Sequence, residues 1–352
     1  TKNDNGSVYY TLAQNRESFK IVLHSIKGLL PAVRFHLEDS HLSKDSILSA
    51  EEVHNIRSQN NGFFPLDYVF EKIFKQSFKE NDPEFYDTIK DMDMEQFVHS
   101  MMSLRERVKP FDLFKAEYAE AEKSIRRKES VYWKEALAEL SYAMNYPAKY
   151  FSAEDMLRLQ KVLMPLISIV IAFVPQSSVE EVLALYQAGV LDIVSVKSDS
   201  YVKPADHGGA FYHYTDEAGE AHAVYYKMYI DCVGQPHLQQ KDLPFKSMLS
   251  NKTVSPAKIK FRNNETGLIE MTKDKSKISE DVEGNYYLNV PGIAINDNFQ
   301  VLDEFGSYNN RIFMMSVPYI GGFNPDYSGL DFCETASARI VETIVRSTQT
   351  FK

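Results

Sequence analysis

The chain has 352 residues, a formal net charge of −10, 44% hydrophobic and 25% charged residues, and two cysteines. This is the composition of a soluble globular protein with room for two or three domains. Cys232 and Cys333 lie too far apart for a CxxC redox pair, and the acidic balance opposes nucleic-acid phosphates as partners.

No run reaches the roughly 18 apolar residues of a membrane span; the longest, Leu163 to Val174, contains Pro165. No signal peptide is visible, so a cytoplasmic location is expected. The chain opens on Thr1 and a polar run to Ser7, as expected of a piece excised from a longer protein.

Val8 to Ser18 reads as weakly helical, and Phe19 to Ser25 as a strand. The loop Ile26 to Pro31 follows, so helix, strand and glycine loop give the pattern of an α/β nucleotide-binding sheet. Ser49-Ala-Glu-Glu52 reads as a capping box. Residues 63–174 form a helical block. It holds a helix carrying Leu66, Val69, Phe70 and Phe74, one over 84–105, one over 112–142, and one starting at Ser152 that Pro165 kinks or ends.

Ser177 to Glu180 is expected to cap a helix that closes at Ala188-Gly189, before a strand over Val190 to Val196. Phe211 to Tyr214 and Ala221 to Val233 read as strands joined by the turn Thr215 to Gly219. Thr272 to Glu283 reads as an exposed excursion, Arg311 to Val317 as a buried strand, and Phe332, Ala336, Ile340 and Ile344 as one helix face. The chain therefore closes as strand, glycine-containing loop and helix N-terminus, where free N–H groups suit an electron-rich group. His207 and His213 lack a third clustered ligand, and no HExxH or G-x-S-x-G exists, so neither a metal site nor hydrolase chemistry is expected.

The order Gly284-x-Tyr-x-Leu, Val301-Leu-Asp-x-x-Gly306, Arg311-Ile-Phe, Gly321-Gly322 and Tyr327-Ser-Gly-Leu330 resembles the end of the bacterial FAD-NAD(P)-binding protein family, two-dinucleotide-fold flavoproteins. Ser25-Ile-Lys-Gly28 is similar to that family's Ser-Arg-x-Gly loop, and the stretch ending at Gly234 to its strand beside the cofactor. Four departures stand out: Ile26 where arginine is usual, Val233 where threonine is usual, Ser316-Val317-Pro318 where Gly-Asp is usual after the terminal strand, and no G-x-G-x-x-G.

The resemblance implies an α/β (mixed α+β) class, a partial Rossmann-like nucleotide-binding fold with an inserted helical subdomain. The expected divisions are 1–62, 63–174 and 175–352. It implies hydride transfer from NAD(P)H to FAD with a small-molecule substrate left open, the two cofactors being held by the longer protein and not tightly by this piece. The implied cofactor contacts are Ser25, Lys27, Gly28, Gly234, Gly321, Gly322, Tyr327, Ser328 and Gly329. No catalytic acid or base, and no oligomeric state, is legible. The other reading is a non-catalytic relative carrying a helical interaction module.

Overall fold

The computed structural model describes residues 2–3, 7–11, 19–38, 48–234, 237–323 and 329–349. The fold is mixed α+β: small sheets set among many helices. The chain divides into two units, one of Thr1–Ser40, Asp91–Leu137 and Pro165–Gly234, the other of His41–Lys90, Ala138–Met164 and Gln235–Lys352.

In the first unit β1 (Ile21–Ile26) and β2 (Leu191–Val196) pair in parallel, residue for residue from Ile21–Leu191 to Ile26–Val196. Parallel partners need a crossover, and the residues between these two run through the whole helical block. β3 (Tyr201–Pro204), β4 (Ala210–Thr215) and β5 (Ala221–Tyr226) form an antiparallel meander. Phe111, Phe114, Val179, Leu183 and Leu191 are buried together and hold the helices Pro110–Arg127 and Gln176–Gln187 against β2.

In the second unit β6 (Pro256–Lys260), β7 (Ile278–Glu280) and β8 (Tyr286–Ile293) make a sheet with β8 at its centre, and β9 (Gln300–Leu302) pairs with β10 (Tyr308–Phe313). Phe70, Phe74 and Phe78 form a buried aromatic row, with ring centroids 5.4 and 5.0 Å apart. A second cluster joins Ile293, Val301 and Tyr319.

Several boundaries differ from expectation, each for a local reason. Expected helix 84–105 is two, Pro83–Ile89 and Met94–Arg107, because Asp93 and Gln96 close a reciprocal capping box. Expected helix 112–142 is also two, Pro110–Arg127 and Tyr132–Ala143. Lys128 ends the first in a left-handed turn (φ 56°), braced by the Ser124 hydroxyl donating to the Glu129 carbonyl at 2.6 Å. Ser49 caps its helix as expected, accepting from the Glu52 amide at 3.1 Å. Pro165 does not stop its helix, since a wide π turn over Leu159–Leu163 takes up the register just before it.

The helix expected to be capped at Ser177 to Glu180 starts earlier, at Gln176, with Pro175 in the cap position. The strand expected to run to Val233 ends at Tyr226, where its partner β4 ends, and Met228, Ile230 and Val233 are exposed. The buried strand expected over Arg311 to Val317 is instead β10, half exposed, and Val317 opens a short helix that Pro318 helps start. The excursion at 272–283 contains β7. Most of the weak helix expected over 8–18 lies outside the described residues.

The β7–β8 turn carries a pH-dependent element. Asp281 accepts from the amides of Asn285 and Glu283, both at 2.9 Å, and from the Tyr287 hydroxyl at 3.0 Å. The hydrogen bonds from Asn285, backbone first, hold its carboxyl down at about 2, from 3.8. A depressed carboxyl stabilises the fold fully above its unfolded value and stops doing so as pH falls toward the folded one. Asp281→Ala is therefore expected to melt below wild type at neutral pH, with the gap closing as pH falls from about 4 to about 2. Paired thermal melts across that range check this, and a gap that persists at the acid end rules it out.

Candidate functional site

In each unit one polar cluster borders an open cleft. In the first, β1 ends in a turn formed by Lys27 (φ 58°) and Gly28 (φ 63°). Gly28 suits the turn because its backbone is left-handed; a side chain there would make only an ordinary contact with Ser195 of β2, at 3.4 Å. Ser25, Lys27 and Gly28 are thus drawn together at the carboxyl ends of two parallel strands, where open α/β sheets receive ligands.

The side chains there already have partners. The Ser25 hydroxyl donates to the Leu29 carbonyl at 2.9 Å, and Lys27 pairs with Glu106 at 2.7 Å. Glu106 also borders an open cleft of about 600 Å³ with His99, Ser103 and Arg107. A carboxylate beside Lys27 repels a 2′-phosphate but accepts a hydrogen bond from a ribose hydroxyl. The pyrophosphate fingerprint is not in this sequence.

The other expected contacts are scattered. Gly234 has a left-handed backbone, φ 84°, with open space where a side chain would be. Gly321 and Gly322 do permit close approach, but by the protein's own groups: a side chain on Gly321 would strike the His237 imidazole, and one on Gly322 the Pro291 carbonyl. Gly329 opens the closing helix Gly329–Gln349, while Tyr327 and Ser328 lie outside the described residues. At the β4–β5 turn Asp216, Glu220 and His222 each bring one ligand atom within 4.8 Å of the others. Asp216 there accepts from the Glu220 amide and lies 2.8 Å from the His222 ring nitrogen, contacts that close the turn.

The second cluster was not legible in the sequence. Asp297 sits in the loop between β8 and β9, which Asn296 fastens by accepting from the amides of Asn298 and Gln300 at 2.9 and 3.0 Å. Phe299 completes the loop with φ 61°. The 3₁₀ turn Pro147–Tyr150 meets Asp297: Lys149 pairs with it, the Tyr150 hydroxyl donates to it, and the Tyr146 hydroxyl donates at 3.2 Å. Arg57 lies flat on the Tyr150 ring, 3.4 Å from its centroid. Arg339, from the closing helix, stacks at 5.2 Å on Tyr146 and donates to the Asp297 carbonyl at 3.3 Å. Lys149 and Tyr150 line an open cleft of about 440 Å³ with Asp297 and Asn298, and Ile295 and Phe323 supply an apolar wall.

One cation, Lys149, thus meets the carboxylate, and two arginines stand beside the pair. Lys149 is nearly buried, its side chain 8% exposed, whereas Asp297 is 38% exposed. Burial pushes the Lys149 ammonium down; Asp297 opposes this and the two arginines add to it. Burial alone would raise Asp297, but the Lys149 charge and the hydrogen bonds from Lys149, Tyr150 and Tyr146 outweigh it and hold the carboxyl below its ordinary range. Burial and the Asp297 carboxylate push the Tyr150 phenol up, keeping it a donor.

Comparison with known proteins places residues 49–171 in a match to the model of a family described as the YdhS-like middle domain. Across 235 residues, 65% of this chain, the sequence is 26% identical to the uncharacterized protein YdhS of Escherichia coli (strain K12). The chain covers 42% of that relative, less than half its length. Arg57, Tyr146, Lys149 and Tyr150 fall inside the family match; Asp297 and Arg339 fall outside it. No helix among the described residues is long and apolar enough to cross a membrane.

Proposed function

We propose that this chain is part of a flavin- and nicotinamide-dependent oxidoreductase related to the FAD-NAD(P)-binding proteins, working in the cytoplasm on a small molecule. The supporting observation is the parallel β1–β2 pair ending at the Lys27–Gly28 turn. In this reading the turn orients the adenosine ribose of the nicotinamide cofactor, Glu106 and Lys27 taking its hydroxyls. The flavin supplies the redox chemistry when bound; this chain contributes binding and orientation. An acidic chain of net charge −10 has no use for nucleic acid in this role. Neither comparison names a cofactor.

The test uses the natural full-length protein. It is expected to carry the visible absorbance of oxidised flavin, or to gain thermal stability on titration with FAD. If it shows neither at saturating FAD, the oxidoreductase reading fails. A second expectation concerns the nicotinamide: Glu106→Gln leaves Lys27 unpaired, and should shift the NADPH-to-NADH affinity ratio upward by about ten-fold, about 1.4 kcal/mol. An unchanged ratio removes Lys27 from the ribose site.

A non-catalytic scaffold is the second reading. It is favoured by Ser25, Gly321 and Gly322, whose hydroxyl or open space is used within the chain itself. The same FAD titration separates the two.

A further inference from the structure

We propose that the cleft at Asp297 binds an oxyanion, the carboxylate or phosphate of a small organic molecule. The inference needs no flavin and stands apart from the oxidoreductase reading.

The charge arrangement comes first. Lys149 pairs with the Asp297 carboxylate, while Arg57 lies on the Tyr150 ring and Arg339 donates to the Asp297 backbone carbonyl, so three cations from segments distant in sequence stand close together. Asp297 compensates the nearly buried Lys149, so the two half-buried guanidinium groups beside the pair leave an excess of positive charge. The fold does not close over the excess; it leaves an open cleft there, lined by Lys149 and the Tyr150 hydroxyl.

One donor, Arg57, which stands on the Tyr150 ring beside the cleft rather than in its lining, is also free to turn toward a ligand. Arg57 makes one hydrogen bond among the described residues, from Nε to the Gly62 carbonyl at 3.0 Å. Stacking on Tyr150 fixes its plane while leaving the terminal nitrogens uncommitted. A planar guanidinium held this way suits a carboxylate or phosphate, which it meets with two parallel hydrogen bonds. Asp297 holds the donors in place before a ligand arrives, since Lys149 and both tyrosines bond to it. Ile295 and Phe323, both buried, offer an apolar surface to the rest of an organic anion.

The experiment is isothermal titration of the purified protein with inorganic phosphate and, separately, with succinate. At least one probe is expected to bind; which one binds more tightly distinguishes a phosphate from a carboxylate ligand. Lys149→Met strands Asp297, and Asp297→Asn strands the nearly buried Lys149, so the deciding variants leave that pair in place. Arg57→Gln and Arg339→Gln should each weaken binding about five-fold or more, whereas Arg57→Lys and Arg339→Lys, which keep the charge, should retain most of it. That dependence on charge is not expected of residues that merely support the fold. If neither probe binds wild type, or if the glutamine variants bind as tightly as the lysine variants, the proposal is overturned.

Discussion

Glu117→Gln is expected to cost the first unit roughly 3–5 kcal/mol, the loss typical of stranding buried charge. Among the described residues Glu117 is the only carboxylate that Arg105 pairs with, at 2.7 Å to Nη1 and 3.4 Å to Nη2, and it also takes Lys134 at 3.3 Å. All three side chains are at most 8% exposed. Lys134 keeps a second partner in Glu120, at 2.7 Å, but Arg105 keeps only the Leu30 carbonyl, at 3.3 Å, and its Nε has no partner at all.

A neutral amide cannot compensate a buried guanidinium, so the loss falls mainly on Arg105. Its consequence reaches the site. Arg105 holds Leu30, and its neighbour Glu106 holds Lys27, so one helix end fastens both sides of the turn after β1. Urea unfolding gives the magnitude. The companion measurement is a triple variant, Arg105→Met with Glu117→Leu and Lys134→Met, which should lose less than Glu117→Gln alone because no buried charge is left unpaired, Glu120 being half exposed. A single variant within about 1 kcal/mol of wild type is incompatible with this account.

How far the sequence exposed this structure depends on whether each signal is local. The helix before Gly189 and the strand after it were legible: the apolar positions repeat at helical spacing, and the glycine takes the left-handed turn, φ 73°. β1 was legible from its β-branched run, and the helical character of the block from its periodicity. The breaks at Pro83 and Pro110 were legible too, but the one after Arg127 was not, because Lys128 adopts a glycine-like backbone with no glycine or proline to announce it. The end of β5 was hidden because Met228 and Ile230 look like strand residues, yet β4 has no residues left to pair with them.

The Asp297 site was invisible for a stronger reason. Arg57, Lys149, Asp297 and Arg339 come from four separate segments, each of ordinary composition. The one local hint is Tyr146, Lys149 and Tyr150, spaced to share the face of a single turn. Only the fold shows that this face and the Asn296-Asp297-Asn298 loop meet.

Gly322→Ala is the substitution that decides what the closing segment's glycines are for, with an expected loss on the order of 3 kcal/mol, at the upper end of overpacking costs. A Cβ there falls inside contact distance of the Pro291 carbonyl oxygen and 2.9 Å from both the carbonyl carbon and the nitrogen of Pro291. These are backbone atoms of β8 and cannot rotate aside. The next residue, Gly292, sits with φ 110° and its own missing side chain against the Tyr319 carbonyl, so the strand and the segment after Pro318 interlock through two glycines. Neither can give way without unseating β8.

Gly321→Ala is the contrast: its clash is with His237, an exposed side chain that can swing out, so its loss should stay within about 1 kcal/mol. Urea melts without added cofactor measure both. If the glycines serve only the approach of a flavin, both variants will unfold with wild type and differ only in flavin binding. If they serve packing, Gly322→Ala will be unstable with no cofactor present while Gly321→Ala is nearly unaffected, and the geometry at Pro291 requires the second result.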